Sequence, residues 1–302
     1  MKSSVPVTLS LLFILSSITA CWEKEPVSPD SKSDEFQTVP DRFPVAPGLV
    51  DEASGLADSR TITGYLWTHE DAGSEAELFL ISHDGKDIRR YSPPGINNID
   101  WEDIAVGGGP ENDVSYIYVA DIGNNDANPA FSTHTIYRIP ELKNLDESFV
   151  PDKIARFKFR YPDSSPDAET LLFDPVTKDL FIVTKELESA RLYRIPYPQS
   201  TEGTITAEFI GKVPGLLLAT GGDISADGQE ILIRNYTNVY FWKRNAGETI
   251  GQTLVREATK PVPYALEPQG EAVCFDREMK GYYTFSEKRT ASGVALQYFR
   301  RK

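Results

Sequence analysis

The chain has 302 residues, 40% hydrophobic and 25% charged, with 21 Gly and 21 Pro, which excludes a disordered tail, a collagen-like rod and a multi-span membrane protein. Lysine and arginine number 31 against 45 aspartate and glutamate, a net charge of −14; so acidic a surface repels phosphate backbones and argues against nucleic acid as a partner. Length permits two domains, but all-β folds use roughly 200–250 residues as one, so internal repeats decide.

Lys2 is followed by an apolar stretch from Val5 to Ile18 broken by Ser10, Ser16 and Ser17. A membrane-spanning helix wants about 20 apolar residues, so residues 1–20 are read as a signal peptide. Ile18-Thr19-Ala20-Cys21 resembles the bacterial lipobox, in which the cysteine is acylated and becomes the first residue. The alternative is an ordinary signal cleaved near Ala20. The only other cysteine is Cys274, so an acylated Cys21 leaves no disulfide partner. Residues 21–35 are polar and rich in Pro and Ser, a tether reaching roughly 20 Å if it behaves as a flexible coil. These features predict a lipid-anchored protein of the bacterial cell envelope, outside the cytoplasm and on the outer membrane.

From residue 36 onward the chain repeats. Apolar, β-branched and aromatic stretches bounded by turn residues come in fives. One series is Gly64–Thr68, Tyr116–Ala120, Leu180–Thr184, Ile231–Arg234 and Tyr282–Ser286; a second is Leu78–Ser82, Thr135–Ile139, Arg191–Ile195, Val239–Lys243 and Ala295–Phe299. TIYRIPE and RLYRIPY are nearly the same string. A third series, IRRYS, ARFKFRY, TAEFIGKV and TLVREA, lacks a fifth member at the C-terminus. Ahead of each unit stands a signature: EASGL from Glu52, DWEDI from Asp100, DAETL from Asp167, TGGDI from Thr220 and QGEAV from Gln269. Its third positions are 48, 67, 53 and 49 residues apart, the period of a four-stranded propeller blade. The pattern predicts an all-β, five-bladed β-propeller over 36–302, closed by a strand near Phe36–Val45 that supplies the missing outer strand. A six-bladed alternative would require splitting the long second unit.

In a blade, the start of the first strand and the end of the second are neighbours at the mouth of the central channel. The third signature positions are Ser54, Glu102, Glu169, Gly222 and Glu271; two places earlier stand Glu52, Asp100, Asp167, Thr220 and Gln269. The second strands end on His69, Asp121, Lys185, Asn235 and Glu287, followed by Glu70, Ile122, Glu186, Tyr236 and Lys288. One face should therefore carry a crowded ring of carboxylates, with Glu52, Glu169, Lys185, Asn235, Glu271 and Glu287 as candidate ligand-binding residues. Such a ring must be protonated, paired or bridged by a cation. Pairing would set Lys185 on Glu169, Lys288 on Glu271 and Arg234 near Asp223. Bridging would place Ca2+, which takes oxygen ligands, on Glu102, Asp121, Asn124 and Asn125, whose blade has no Lys or Arg at either ring position. DIGNNDANP from Asp121 is not an EF-hand loop, since Pro129 and Thr135 stand where Gly and Glu are needed.

His69, His83 and His134 lie in separate segments without zinc spacing. His83 precedes Asp84-Gly85, a hairpin signal, and is expected at the surface. Cys274, Trp67 and Trp101 read as buried and structural. No nucleophile elbow or phosphate loop is present.

ASGL from Ala53, the following strand, ISHDGKDIRRY and DWEDIA from Asp100 together resemble the SdiA-regulated-domain propellers, five-bladed bacterial envelope proteins with an SGL…DWEGIA layout. The SGL opening is also similar to that of esterase-like phytase propellers. Asp103 stands where those relatives usually carry Gly. Two functions follow. One is a membrane-tethered propeller that binds a small ligand or an envelope protein at an acidic, Ca2+-loaded mouth. The other is a Ca2+-dependent hydrolase of phosphoesters or lactones, with His69 or Glu70 as base.

Overall fold

Five four-stranded antiparallel units fan around a common axis in the computed structural model, which describes Met1 and residues 33–124 and 133–302. The first blade runs Ala53–Asp58, Tyr65–Glu70, Leu78–Ser82 and Ile88–Tyr91; the third runs Ala168–Phe173, Leu180–Thr184, Arg191–Ile195 and Glu208–Lys212. The second comprises Trp101–Gly107, Tyr116–Asp121, His134–Pro140 and Ala155–Arg160, and gains a parallel fifth strand, Thr204–Thr206, from the third blade's outer loop. This is the five-bladed propeller expected from the repeat period. Asp34–Lys302 is one compact unit.

The ring closes as the missing outer strand requires. Asp41–Val45 pairs antiparallel with Val294–Arg300, from Asp41 opposite Tyr298 to Val45 opposite Val294, and Phe36 bridges Arg301. The fifth blade, Gln269–Phe275, Gly281–Glu287 and Val294–Arg300, thus takes its fourth strand from the chain's beginning. No free strand edge is left at the seam.

The fourth blade departs from expectation. TLVREA, read as its outer strand, instead contributes to a short helix, Ile250–Leu254, and the outer strand is Lys260–Val262. Local chemistry explains this: Thr249 Oγ1 accepts from Gln252 N at 3.2 Å and Gln252 Oε1 accepts from Thr249 N at 2.9 Å. That reciprocal capping box starts a helix, and Ile250 and Leu254, one turn apart, are both fully buried.

Apolar side chains form five clusters, one at each blade-to-blade interface. Trp67, Leu80, Trp101 and Tyr137 pack between blades one and two. Tyr118, Phe157, Phe173 and Tyr193 pack between blades two and three. Inner strands are sandwiched on both faces, so they read as continuous apolar runs rather than alternating ones. Polar stitches run the same way round. Ser54 Oγ donates to Glu102 O at 2.6 Å, and Asp223 accepts from Phe275 N at 2.9 Å. Asp103, buried at the axis, accepts from Ile104 N, Leu171 N and Gly222 N at 2.8, 2.9 and 3.3 Å, joining blades two, three and four. A glycine there would leave those N–H groups without that acceptor.

Candidate functional site

At the mouth, inner strands begin where second strands end, and four of the five pairings are irregular there. Register shifts fall between Ala53 and Leu56, Trp101 and Asp103, Ala168 and Thr170, and Gly270 and Ala272. In the last three the extra residue is Glu102, Glu169 or Glu271. A bulge removes one residue from the ladder and re-aims its side chain, so the signature's third position is the residue the backbone turns off the sheet. Blade four, with Gly222 at that position, pairs regularly from Gly221 opposite Arg234.

The result is a carboxylate cluster. One oxygen each of Asp71, Asp100 and Glu102 lie within 4.8 Å of one another, as do those of Glu102, Asp167 and Glu169. Glu102 and Glu169 are buried; Asp71, Asp100 and Asp167 are half-buried. Gly123 permits the crowding, because a Cβ there would lie 2.2 Å from Glu102 Oε1 and 2.4 Å from Asp100 Oδ2. Among the described residues, the one ammonium in contact is that of Lys185, which pairs with Glu169 and sits 5.3 Å from the centroid of the Tyr236 ring. Glu102 Oε1, Glu169 Oε2 and Glu271 Oε2 are buried without a hydrogen-bond donor among the described residues.

Electrostatics follow from that crowding. Burial, reinforced by the neighbouring carboxylates, raises Asp100 to about 7 and holds Glu102 and Glu169 well above the usual carboxylate range. Burial raises Glu271 to about 8. Burial works against the Lys185 ammonium, but the Glu169 carboxylate outweighs it and holds Lys185 above its ordinary value. Without a cation the cluster keeps protons at neutral pH. With one, its oxygens are ready acceptors: an all-oxygen donor set suits a hard ion such as Ca2+ better than a transition metal.

The other sequence candidates divide. Asp121 Oδ1 accepts from Asp100 N at 2.9 Å, while its Oδ2 is buried without a partner, and burial raises the group to about 6. Asn124 orients the cluster from behind: its N–H donates to Asp167 Oδ1 at 2.8 Å. Asn125 and Cys21 lie outside the described residues. Glu271 Oε1 and Glu287 Oε1 share Gln269 Nε2, at 2.8 and 2.9 Å. Asn235 Oδ1 closes its own hairpin by accepting from Thr237 N and Asn238 N, and Glu52 is exposed. Glu70 Oε1 is taken by Asp51 N and Glu52 N at 2.9 and 3.2 Å. His69 is fully buried, edge-on to Trp101 at 5.7 Å, and burial lowers it to about 4, so it is neutral.

Asp71 joins the cluster without being among the sequence candidates; it lies one residue beyond Glu70, in the turn, where strand register no longer assigns a direction. Two expected ion pairs form elsewhere: Lys288 pairs with Asp51 at 2.7 Å, not Glu271, and Arg234 with Glu267 at 2.8 Å, not Asp223. His83 is not a free surface group, since its Nε2 lies 3.3 Å from Asp58 Oδ1. Cys274, Trp67 and Trp101 are buried, as expected.

No family model matches the chain, and no curated protein is similar to it. Solved structures similar to it include a regucalcin described as calcium-binding, from Agrobacterium tumefaciens, at 11% identity and a TM-score of 0.47 over 88% of this chain and 97% of that one. A gluconolactonase from Xanthomonas campestris is 13% identical, with a TM-score of 0.44 over 88% and 98%. A luciferin-regenerating enzyme is 12% identical, with a TM-score of 0.46 over 87% and 97%. At these identities the likeness lends this chain neither a ligand nor a reaction.

Proposed function

We propose that this chain is a lipid-anchored envelope propeller that holds a divalent cation, Ca2+ by its donor chemistry, at the channel mouth and binds a ligand or protein there. The observation that carries this is the imbalance at the mouth. Among the described residues, Asp71, Asp100, Glu102, Asp167 and Glu169 crowd around one ammonium, and buried oxygens of Glu102 and Glu169 lack a donor. Two like charges ~4 Å apart cost about 4 kcal/mol at an effective dielectric of 20, so a cation is the remedy that satisfies charge and lone pairs together. Either trio, Asp71, Asp100 and Glu102 or Glu102, Asp167 and Glu169, would hold it, with Asp121 and Asn124 positioning Asp100 and Asp167. Binding is preferred to phosphoester or lactone hydrolysis because hydrolysis needs a base at the cation. The two candidates, His69 and Glu70, are occupied or walled in elsewhere.

Thermal melting of the full-length protein in EDTA and in 1 mM Ca2+ tests this. A Kd near ~10 μM would stabilise the folded state by about 2.7 kcal/mol and raise the midpoint by roughly 5–11 °C. Glu102→Gln should abolish the shift; an unmoved wild-type midpoint would sink the cation reading. Anchoring through Cys21 belongs to the same proposal. Cys21→Ser should move the protein from the membrane to the soluble fraction, and unchanged fractionation would refute it.

A further inference from the structure

Five exposed aliphatic side chains stand in the loops around the mouth. Leu49, Ile99, Leu217 and Leu266 each lie two to four residues before an inner strand, and Leu187 lies just after a second strand. By blade order they lead into blade one, blade two, blade four and blade five, and Leu187 caps the mouth end of blade three. Among the described residues, the remaining exposed large apolar ones, Met1 aside, are scattered: Val176 in a hairpin at the opposite end, and Val39, Val150, Phe209 and Val255 in outer segments. Leu187 and Leu266 are 82% and 86% exposed. Isolated surface apolar groups are ordinary; a set encircling a charged centre is the layout of an interaction face, apolar contacts around a polar anchor.

Charge selects the occupant. The five clustered carboxylates face one ammonium, so even with a divalent cation bound the centre keeps a formal charge of about −2. Of the neighbouring mouth-face cations, Lys288 pairs with Asp51, Arg191 with Glu186 and Asp163, and Arg289 with Glu287. An anionic lipid surface is therefore repelled. We infer that the mouth is a docking face for a polypeptide segment that places a basic side chain over the carboxylate cluster and aliphatic residues on the surrounding leucines and Ile99. The inference deepens the proposed function, using its mouth but not requiring that the cation be present.

Three pools of fluorescent nonapeptides test it, with Arg, Glu or Gly fixed at the centre and Leu, Ile, Val or Ser randomised on both sides. Anisotropy is read on the full-length chain in detergent. The Arg pool should bind at least tenfold more tightly than the Glu pool, with Leu and Ile selected over Ser. Leu187→Ser with Leu266→Ser, both too exposed to threaten folding, should weaken Arg-pool binding about tenfold and leave the Ca2+-induced melting shift unchanged. Equal affinity for the three pools, no binding, indifference to the double substitution, or capture of phosphatidylglycerol vesicles in place of peptide would each overturn the proposal. A missing Ca2+ shift with Arg-pool binding intact would remove the cation reading alone; an intact shift without peptide binding would remove this one alone.

Discussion

Arg234 and Asp121 occupy equivalent places, each opposite the start of its blade's inner strand at the mouth, yet their surroundings treat buried charge in opposite ways. Arg234 is fully buried and fully answered: its guanidinium donates to Glu267 Oε2 at 2.8 Å and to Ala272 O at 3.0 Å, and Glu267 Oε1 accepts from Thr284 Oγ1 at 2.7 Å. Gly270 makes room, since a Cβ there would sit 1.5 Å from Arg234 Nη2. Across the channel, Asp121, Glu102 and Glu169 each retain a buried oxygen with no donor among the described residues. A fold that completes one buried charge network and leaves the other open has not run out of means to neutralise charge. On the function proposed above, the open side is the functional side and the closed one is scaffold.

The largest test of that contrast removes the closed pair. Truncating one partner of a buried ion pair strands the other, at a cost of about 3–5 kcal/mol. Arg234→Leu should lower stability by that amount in urea unfolding, because Glu267 is then buried and unpaired. A loss below about 1 kcal/mol would mean that Glu267 is as free to take a proton or a cation as the mouth carboxylates are, and the contrast would collapse.

A smaller effect comes from pH. Asp100 and Asp223 are held at about 7 and Glu271 at about 8, whereas in the unfolded chain they titrate near 4. From about pH 4 to pH 8 the folded state therefore binds more protons than the unfolded one, and these groups lose their stabilising contribution as pH rises across that window. His69 and His134, both lowered to about 4 by burial, act in the other direction: their contribution is lost as pH falls from 6.5 toward 4. In EDTA, stability should therefore fall as pH rises above about 5, with the two imidazoles offsetting part of the slope below pH 6.5, and should drop by about 3 kcal/mol between pH 6.5 and 8.5, roughly 6–12 °C in melting temperature. Ca2+ should flatten the alkaline limb by favouring the ionised carboxylates. A flat profile in EDTA would show that the mouth is not protonated.

The blades were readable because their determinants are periodic. TIYRIPE and RLYRIPY form equivalent third strands, and the signature's third position marks the bulges at Glu102, Glu169 and Glu271. What was not readable lies between the repeats. TLVREA looks like a strand until the capping box of Thr249 and Gln252 is weighed, and that box is a four-residue event with no counterpart in other blades. Lys288 turns to Asp51 and Arg234 to Glu267 because both acids come from loops leading into inner strands, whose course no period constrains. Asp71 carries no repeat signal for the same reason, whereas Asp100 and Asp167 fall in the ring by their signature.

The smallest expected effect has the opposite sign to the first. Glu102 is buried with Oε1 unsatisfied and with Glu169, Asp71, Asp100 and Asp167 as like-charged neighbours. Replacing it by Gln removes a group that must either hold a proton or repel its neighbours, and supplies an N–H2 donor to the same crowd of acceptors. In EDTA at pH 8, Glu102→Gln should therefore be more stable than wild type by about 1 kcal/mol, one net hydrogen bond's worth. Most buried-residue substitutions destabilise, so a gain here separates a site whose charge is kept for a ligand from one kept for the fold. The same substitution at pH 5, where wild-type Glu102 is protonated and already a donor, should give no gain. If Glu102→Gln is destabilised at both pH values, Glu102 is a structural partner like Arg234, and the mouth is scaffold on both sides.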